Sequence, residues 1–252
     1  MSETPCPKCG GSGWVIYEHD AMSGAERCDC TLEGRAARIE ENAGIPPLYR
    51  NKSLEDFLLP QGDPAASFAL GRILLTVKSY VREYPREDRP GLLFIGDTGT
   101  GKTHLAVAAL RMLIARGFEG LFFDYQNLLD RIRSSYDPAS GASDREAYRS
   151  ALDAEILLLD DLGTHRVTDW VEDIVTSIIT WRVNHRKPLI TTTNLLDEAA
   201  GDPPKPGGLA GDLAARYYLT ERIGLRARSR VFEMCTVVHM PAIADYRLRA
   251  VR

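Results

Sequence analysis

Residues 96–103 carry the clearest chemical signature of the chain and read GDTGTGKT. They fit the pattern G-x-x-x-x-G-K-[ST], with an apolar run before them and a helical apolar pattern after them. Glycines let such a loop curl so that its N–H groups point at phosphate oxygens, and the following helix places its positive end there. We predict an ATP site in which Lys102 reaches the β- and γ-phosphates and Thr103 ligates Mg²⁺. The predicted ATP-binding residues are Gly96, Asp97, Thr98, Gly99, Thr100, Gly101, Lys102, Thr103 and His104.

A pair of acids forms the second candidate set. Asp160 and Asp161 directly follow the apolar run 156–159. A buried strand that ends in two carboxylates can place one in the Mg²⁺ shell and the next beside the attacking water. We predict that Asp160 serves the magnesium ion and that Asp161 is the catalytic base. Asp161 is one methylene shorter than the glutamate common in this role across P-loop ATPases, so slow hydrolysis is expected.

An amide at the end of a third apolar run completes the predicted site. Residues 187–194 read KPLITTTN and end at Asn194. An amide in that position can hydrogen-bond the γ-phosphate or the attacking water. Taken alone, an asparagine such as Asn194 is more often just a cap that ends a strand. The order of phosphate loop, acid pair and amide along the chain favours a catalytic role.

The overall composition limits the class of protein. The chain has 252 residues, 44% of them apolar and 26% charged, which is enough for one α/β domain with a small appendage. Its net charge of −4 argues against a globally basic, DNA-coating protein, although a local basic patch is compatible with it. No apolar run is long enough to cross a membrane, and the first residues lack a signal pattern. We therefore expect a cytoplasmic protein, whose thiols stay reduced.

The elements that must position these residues follow from the apolar periodicity. From Tyr49 onward, apolar runs alternate with amphipathic segments, which is typical of a parallel sheet with crossover helices. The helix that begins at Asp169 should bury the stripe Val171, Ile174, Val175, Ile178 and Ile179. Strands are predicted at 92–95, 121–125, 156–160, 189–193 and 235–239, and helices near 66–83, 102–116, 126–136, 144–152, 169–185 and 209–222.

Four cysteines near the start form a separate candidate site. Cys6, Cys9, Cys28 and Cys30 give a C-x₂-C and a C-x-C pair, separated by enough chain for a small hairpin. Four thiolates suit tetrahedral Zn²⁺, and so short a segment has little core without metal. Surface cysteines in a flexible tail are the alternative, and His19 is a substitute ligand. We predict a zinc-binding module with its linker at 1–44 and an ATPase domain at 45–252. Cys235 is predicted to be a small buried residue.

Together these segments resemble the DnaC/DnaI/IstB family of AAA+ ATPases, which are helicase loaders and transposition helper ATPases. The resemblance covers most of residues 45–250. It implies an α/β AAA+ P-loop core with a central parallel sheet flanked by helices, ATP and Mg²⁺ as ligands, and self-association into an ATP-bridged oligomer. Asn194 would be the sensor-1 residue. The segments that carry the resemblance are GDTGTGKTHLAVAAL, EILLLDDLGTHRVTDW, RKPLITTTNL, ERIGLRARSRVFEMCTVV and ADYR.

The resemblance also implies an arginine finger just before the last strand. A fixed guanidinium there stabilises charge on the γ-phosphate held by the adjacent subunit. We choose Arg230, with Arg226 and Arg228 as substitutes. Little sequence follows the last strand, so no sensor-2 arginine is expected.

Two functions follow from the resemblance, and two others are carried beside them. The first is a loader that places a replicative DNA helicase on single-stranded DNA, with the cysteine module holding the helicase. The second is an IstB-like helper that assembles on DNA and recruits a transposase. Arg131, Arg133 and Tyr136 are candidate DNA contacts, although a solvated helix face explains the arginines equally well. A small-molecule kinase and a nucleotide-binding scaffold are the alternatives from other classes.

Overall fold

A computed structural model describes residues 6–9, 14–19, 22–134, 143–165, 167–197, 218–243 and 245. The elements begin with a hairpin and a helix, then alternate between strands and helices. In order they are β1 (Trp14–His19), β2 (Met22–Arg27), α1 (Asp29–Asn42), a 3₁₀ turn (Pro47–Tyr49), α2 (Pro64–Glu83), β3 (Gly91–Ile95), α3 (Lys102–Ala115), β4 (Gly120–Asp124), α4 (Tyr125–Ser134), α5 (Ser143–Asp153), β5 (Ile156–Asp160), α6 (Asp169–Asn184), β6 (Leu189–Thr193), α7 (Thr220–Met234) and β7 (Cys235–His239).

Five parallel strands form the central sheet in the order β4-β5-β6-β3-β7. The five strands predicted from the sequence are confirmed, each to within one residue at either end. Parallel strands need crossover connections, and helices α3 to α7 provide them. The carboxyl ends of all five strands therefore lie at one edge of the sheet, where the loops after β3, β5 and β6 meet.

Both faces of the sheet are covered, which explains why the buried strands β3 and β5 are almost entirely apolar. Leu92 and Phe94 of β3 pack in one core, among side chains of α2 and α3. Leu93 and Ile95 point the other way, into a second core with α4, α5, α6 and α7. The apolar stripe predicted on α6 is confirmed, because four of its members are buried and Ile174 packs against them.

Helix α7 is the element that the sequence reading missed. A helix was predicted at 209–222, of which 209–217 lie outside the described residues, and none was predicted beyond. The described helix continues to Met234 and is broken at Gly224, which has φ 78° and ψ 155°. No element was predicted between Arg222 and the strand at 235–239. The spacing of its buried residues is helical, and they are Ile223, Ala227, Val231 and Met234.

The segment before the sheet is a β-hairpin followed by helix α1. Strands β1 and β2 pair in antiparallel register, and Cys28 is the N-cap residue of α1. The end of α1 joins the main core, since Ala43 is buried and Glu40 forms an ion pair with Arg111 of α3. The domain boundary at residue 44 stays a prediction. Among the described residues, no helix has the length and apolar content needed to span a membrane.

Candidate nucleotide site and cysteine cluster

A cleft of about 570 Å³ opens at the carboxyl edge of the sheet. It unites residues from four separate parts of the sequence, because the loops after β3, β5 and β6 and the segment before α2 all reach this edge. The cleft is large enough to hold a mononucleotide. Its lining residues are Leu48, Tyr49, Lys52, Thr98, Gly99, Gly101, Lys102, Thr103, His104, Asp160, Asp161 and Asn194.

The phosphate loop is shaped by two glycines with left-handed backbone. Gly99 has φ 79° and Gly101 has φ 94°, values that other residues rarely adopt. Neighbours also leave no room for a side chain. A Cβ on Gly101 would lie 2.5 Å from the Phe57 ring, and one on Gly99 would lie 2.3 Å from the Asp245 carboxylate. The loop is therefore already curled, as phosphate binding requires.

Lys102 points its ammonium into this loop. Its Nζ donates hydrogen bonds to the carbonyls of Gly96 (2.9 Å) and Asp97 (2.8 Å). Only 5% of the residue is exposed, and backbone carbonyls hold its buried charge. A phosphate that enters the loop would replace these two carbonyl dipoles with a full negative charge, which binds the ammonium more strongly. The residues present fit a nucleotide phosphate.

Asp160 is joined to the loop by a hydroxyl hydrogen bond. Thr103 Oγ1 donates to Asp160 Oδ1 at 3.0 Å, so the two predicted magnesium residues are in contact. Thr192 of β6 donates to the same oxygen at 2.6 Å. Burial raises the pKa of Asp160 to about 6, and the hydrogen bond from Thr192 opposes that rise. A buried carboxylate next to a threonine hydroxyl is the oxygen-rich donor set that Mg²⁺ prefers.

Asp161 and Asn194 stand beside this pair. Asp161 has a left-handed backbone, with φ 56°, and its N–H donates to Thr192 Oγ1 at 2.9 Å. Its carbonyl accepts a hydrogen bond from Thr164 Oγ1 at 2.8 Å. Asn194 follows the last residue of β6 and lines the cleft with both acids. The cleft can therefore hold a magnesium ion, an ordered water and a polar amide around one phosphate.

Replacing Asp160 with Asn is expected to stabilise the metal-free protein. A raised pKa means that the folded state binds the proton more tightly than the unfolded state, so stability falls as the pH rises from about 4 to about 6 and then stays lower. The gain is up to about 3 kcal/mol above pH 6, and it disappears as the pH falls from about 6 to about 4. Thermal unfolding in EDTA from pH 4 to 8 measures it. The exposed control Asp173→Asn should change stability by less than about 0.5 kcal/mol. An Asp160→Asn protein that is less stable at pH 8 would refute the expectation.

The predicted ATP-binding residue His104 lines the cleft but is held by the chain itself. Its Nε2 lies 2.7 Å from the Ser53 carbonyl, and its ring meets Phe57 edge to face. Burial lowers the pKa of the imidazole. His104 thus ties helix α3 to residues 53–57, which in turn support Gly101.

One wall of the cleft was missed by sequence reasoning. Leu48, Tyr49 and Lys52 lie between Pro47 and helix α2, where no candidate site residue was predicted from the sequence. Leu48 is 72% exposed although it lies beside the phosphate loop. An apolar side chain, an aromatic ring and an ammonium at this position can receive a base and a phosphate. The only sequence signal was an aromatic residue shortly after Pro46 and Pro47.

The late arginines differ in their surroundings, which bears on the choice of finger. Arg228 makes a two-pronged ion pair with the buried Asp197, with distances of 2.7 and 2.8 Å. The Arg230 side chain is 41% exposed and, among the described residues, forms an ion pair with Glu233 one turn away. Neither Arg228 nor Arg230 lines the described cleft. Arg228 is therefore committed within its own subunit, and Arg230 is the better placed of the two to meet another molecule.

The candidate DNA contacts lie at the end of α4. The guanidinium of Arg131 lies 5.6 Å from the centre of the Phe123 ring, and that of Arg133 lies 4.8 Å from the centre of the Trp170 ring. A guanidinium stacked by its face keeps its N–H donors at its edges. Tyr136 lies outside the described residues. The role of these residues in DNA binding stays a prediction.

A second cleft, of about 510 Å³, opens at the amino edge of the sheet. Its walls come from α1, the start of β4 and the end of α5, and they carry both signs of charge. Arg35 and Arg38 lie on one side, and Glu119 and Asp153 belong to the other. No phosphate loop adjoins it, so we assign the nucleotide to the cleft at the carboxyl edge.

Three of the predicted zinc ligands come together before α1. The Sγ atoms of Cys6, Cys9 and Cys28 all lie within 4.8 Å of one another. The Cys6 and Cys28 sulfurs are 3.8 Å apart. Tetrahedral zinc with Zn–S bonds of about 2.3 Å sets its sulfurs about 3.8 Å apart, so the spacing fits the metal. Cys30 lies at the start of α1, and its side chain is outside the described part. Cys235 is buried in β7, as predicted.

Replacing Cys28 with Ser is expected to abolish tight zinc binding. A thiolate is lost from a site in which four are predicted, and serine is a poor zinc ligand. Metal analysis of the purified protein should find zinc in the parent and almost none in the variant. Cobalt reconstitution should give the absorption of tetrahedral thiolate coordination only in the parent. Cys235→Ala, far from the cluster, should keep the metal. Zinc retained in Cys28→Ser would contradict the site.

The parallel sheet, the phosphate loop after β3 and the acid pair after β5 define a P-loop nucleotide-binding protein of the AAA+ type. Residues 73–200 match the family model described as IstB-like ATP binding protein. That segment is half of the chain, and the chain belongs to this family.

Individual relatives are found among both sequences and solved structures. The replicative helicase loader DnaC of Escherichia coli (strain K12) is 25% identical over 169 residues, which are 65% of this chain and 65% of that protein. The match thus spans slightly less than two thirds of that relative. The phage-like element PBSX protein XkdC of Bacillus subtilis (strain 168) is 23% identical over 216 residues, 79% of this chain and 78% of that protein.

Two crystal structures extend the comparison to the fold. The DnaC helicase loader aligns with a TM-score of 0.61 and 29% identity, over 78% of this chain and all of that chain. DnaI aligns with a TM-score of 0.57 and 19% identity, over 83% of this chain and all of that chain, which supports the fold alone. The AAA+ core expected from the resemblance is therefore confirmed.

Proposed function

We propose that this protein is an ATP-switched loader that places a replicative DNA helicase on single-stranded DNA. The observation that carries the proposal is the 29% identity to the DnaC helicase loader across the whole of that solved chain. The nucleotide cleft supplies the switch. Arg230, which lies outside the cleft with a partly exposed side chain, would let one subunit act on the nucleotide of the next.

The nucleotide step uses the groups that line the cleft. Lys102 holds the β- and γ-phosphates, while Thr103 and Asp160 hold Mg²⁺, which would screen the phosphate charge. Asp161 orients the attacking water, and Asn194 contacts the γ-phosphate. Leu48 and Tyr49 line the cleft and would receive the base. Because the carboxylate of Asp161 is shorter than that of glutamate, hydrolysis is slow without a partner.

The position of Arg230 supports the proposed assembly. This side chain does not line the cleft of its own subunit and is 41% exposed. An arginine that completes the site of a neighbour would make ATP the bridge between subunits. The oligomer would then present Arg131, Arg133 and Tyr136 to single-stranded DNA. The cysteine module would hold the helicase.

The family description also supports a second candidate. The matched model is named for IstB-like proteins, and a transposition helper of that kind would assemble on duplex DNA and recruit a transposase. The two candidates differ in partner. Pull-down of the purified protein with a replicative helicase, and in parallel with a transposase, separates them. Capture of the transposase alone would replace the loader assignment with the helper.

Mass-resolved light scattering tests the switch itself. We expect growth into a higher oligomer only with ATP, Mg²⁺ and a single-stranded oligonucleotide. Lys102→Ala and Arg230→Ala should each remove that growth, the first because ATP does not bind and the second because the bridge is missing. A parent protein that stays monomeric under every condition, with helicase also present, would contradict the proposal.

A further inference from the structure

We propose that Thr192 is a positioning residue that locks the two acids of the ATP site into their working geometry and so sets the Mg²⁺ requirement. This inference rests on the proposed ATP-dependent function. Thr192 does not line the cleft. It acts through Asp160 and Asp161, with which its hydroxyl makes one hydrogen bond each.

The hydroxyl of Thr192 stands between the two acids in a single directed chain. The N–H of Asp161 donates to Thr192 Oγ1 at 2.9 Å, and the same hydroxyl donates its proton to Asp160 Oδ1 at 2.6 Å. A hydroxyl has one proton, so the first bond leaves that proton to the carboxylate. The chain from amide to hydroxyl to carboxylate therefore couples the backbone of one acid to the side chain of the other.

The contacts of Asp160 show what this bond does for the metal. Both Thr103 and Thr192 donate to Oδ1. Two donors on one oxygen fix the rotation of the carboxylate and leave Oδ2 for the Mg²⁺ shell. Supporting hydrogen bonds of this kind, one step removed from a metal, typically change metal affinity or activity by about 10- to 100-fold when they are lost.

The contacts of Asp161 explain why its backbone needs support. Its φ of 56° is left-handed, which costs a non-glycine residue conformational energy. Thr192 holds this turn twice, because its carbonyl also accepts the N–H of Leu162 at 2.8 Å. The backbone bond survives a change of side chain. Loss of the hydroxyl alone should therefore leave Asp160 and Asp161 less firmly oriented without unfolding the turn.

Thr191 offers a matched control on the same strand. It is as buried as Thr192, with no exposed surface, and its Oγ1 donates to the Leu159 carbonyl at 2.7 Å. Successive strand residues point to opposite faces of the sheet, so this hydroxyl touches neither acid. Thr191→Val makes the same replacement of a buried hydroxyl by a methyl group as Thr192→Val. It therefore measures any general effect of losing a buried hydroxyl in this strand.

The test compares the full-length parent with Thr192→Val, Thr192→Ser and Thr191→Val. We measure the Mg²⁺ concentration that half-saturates ATP hydrolysis, and the affinity for a fluorescent ADP in EDTA. Thr192→Val should raise the Mg²⁺ requirement by about tenfold or more, with the affinity in EDTA within about twofold of the parent. Thr192→Ser should restore the parent value, because serine keeps the hydroxyl. Thr191→Val should leave the Mg²⁺ requirement unchanged.

Two results would overturn the inference: a normal Mg²⁺ requirement in Thr192→Val, or the same shift in Thr191→Val. If the parent does not hydrolyse ATP, the proposed ATPase function fails while the inference can still be judged. The readout then becomes the Mg²⁺ concentration that half-maximally tightens binding of a non-hydrolysable ATP analogue. The same shift in Thr192→Val and the same recovery in Thr192→Ser are expected there.

Discussion

Replacing Arg230 with Ala is expected to lower the rate of ATP hydrolysis, measured with Mg²⁺ and a single-stranded oligonucleotide, by roughly 10³-fold, the low end of the effect of an arginine finger. ATP affinity should stay within about twofold of the parent, because the guanidinium acts on the γ-phosphate of a neighbouring subunit in the transition state. The side chain lies outside its own cleft and makes only a surface ion pair with Glu233. Its loss should therefore leave the fold intact.

A mixing experiment distinguishes action between subunits from action within one. Arg230→Ala keeps a complete nucleotide site, and Lys102→Ala keeps the finger. Each variant alone should be nearly inactive. Equal mixing should recover about a quarter of the parent rate, since half of the subunits hold ATP and half of their neighbours carry the arginine.

The neighbouring arginine Arg226 is the matched control, because it is exposed on the same helix. Arg226→Ala should keep most of the parent rate. No recovery on mixing, in a mixture shown to co-assemble, would place the finger elsewhere. Near-normal hydrolysis by Arg230→Ala alone would do the same.

Replacing Arg182 with Ala is expected to destabilise the fold by about 3 kcal/mol or more, which lowers the thermal midpoint by roughly 10 °C in a protein of this size. Arg182 is completely buried on α6, and burial lowers the pKa of its guanidinium to about 9. It remains charged at neutral pH. Its acceptors are backbone carbonyls alone in the described contacts, namely those of Ala151, Leu152, Ala154, Glu155 and Pro188.

These contacts give the buried cation a structural task. Three of its acceptors belong to the end of α5 or directly follow it, where helix carbonyls lack partners and the helix dipole is negative. Another acceptor, Pro188, stands just before β6. Arg182 thus joins three elements around the base of the sheet. Alanine would leave their carbonyls buried without a donor.

Lys187 provides the control for Arg182. Its Nζ donates to the Asp153 carbonyl at 2.6 Å, so it also caps α5, but it does so at the surface. Lys187→Ala should cost less than about 1 kcal/mol, as is usual for exposed charged contacts. Chemical unfolding of the two variants beside the parent measures the difference. Equal, small losses in both would show that the buried guanidinium is not a structural hub.

The sequence was most informative where chemistry and periodicity coincide. The loop at 96–103, the acid pair after β5 and the amide after β6 were each predicted at the end of an apolar strand, and the fold brings them to one cleft. This worked because parallel strands must end at a common edge. Strands β3 and β5 were found because burial on both faces makes them almost entirely apolar.

Other parts of the site were not predictable from local pattern. Leu48 and Tyr49 reach the cleft because of the way the chain runs between α1 and α2. That course depends on tertiary packing and leaves no local sequence pattern. Thr192 looked like any threonine in a β-strand, where such residues are common. Its contact with two acids depends on the pairing of β5 with β6. Helix α7 was not predicted beyond Arg222, and its backbone is in fact interrupted at Gly224.

The choice among arginines shows how structure refines a resemblance. Sequence alone left Arg226, Arg228 and Arg230 as possible fingers. The ion pair between Arg228 and the buried Asp197 commits that residue to its own chain. We therefore expect Arg228→Ala to act on stability, while Arg230→Ala acts on hydrolysis.

The most direct test of the loader proposal is helicase loading onto a closed circle of single-stranded DNA. A ring-shaped helicase cannot thread onto a circle from an end, so loading requires the ring to be opened or assembled in place. We expect the replicative helicase of the same organism to become stably bound to the circle, and to unwind an annealed strand, only when this protein and ATP are present. Lys102→Ala should abolish the effect. If the helicase loaded equally well with and without this protein, under conditions where the helicase and this protein each bind ATP, the proposal would be contradicted.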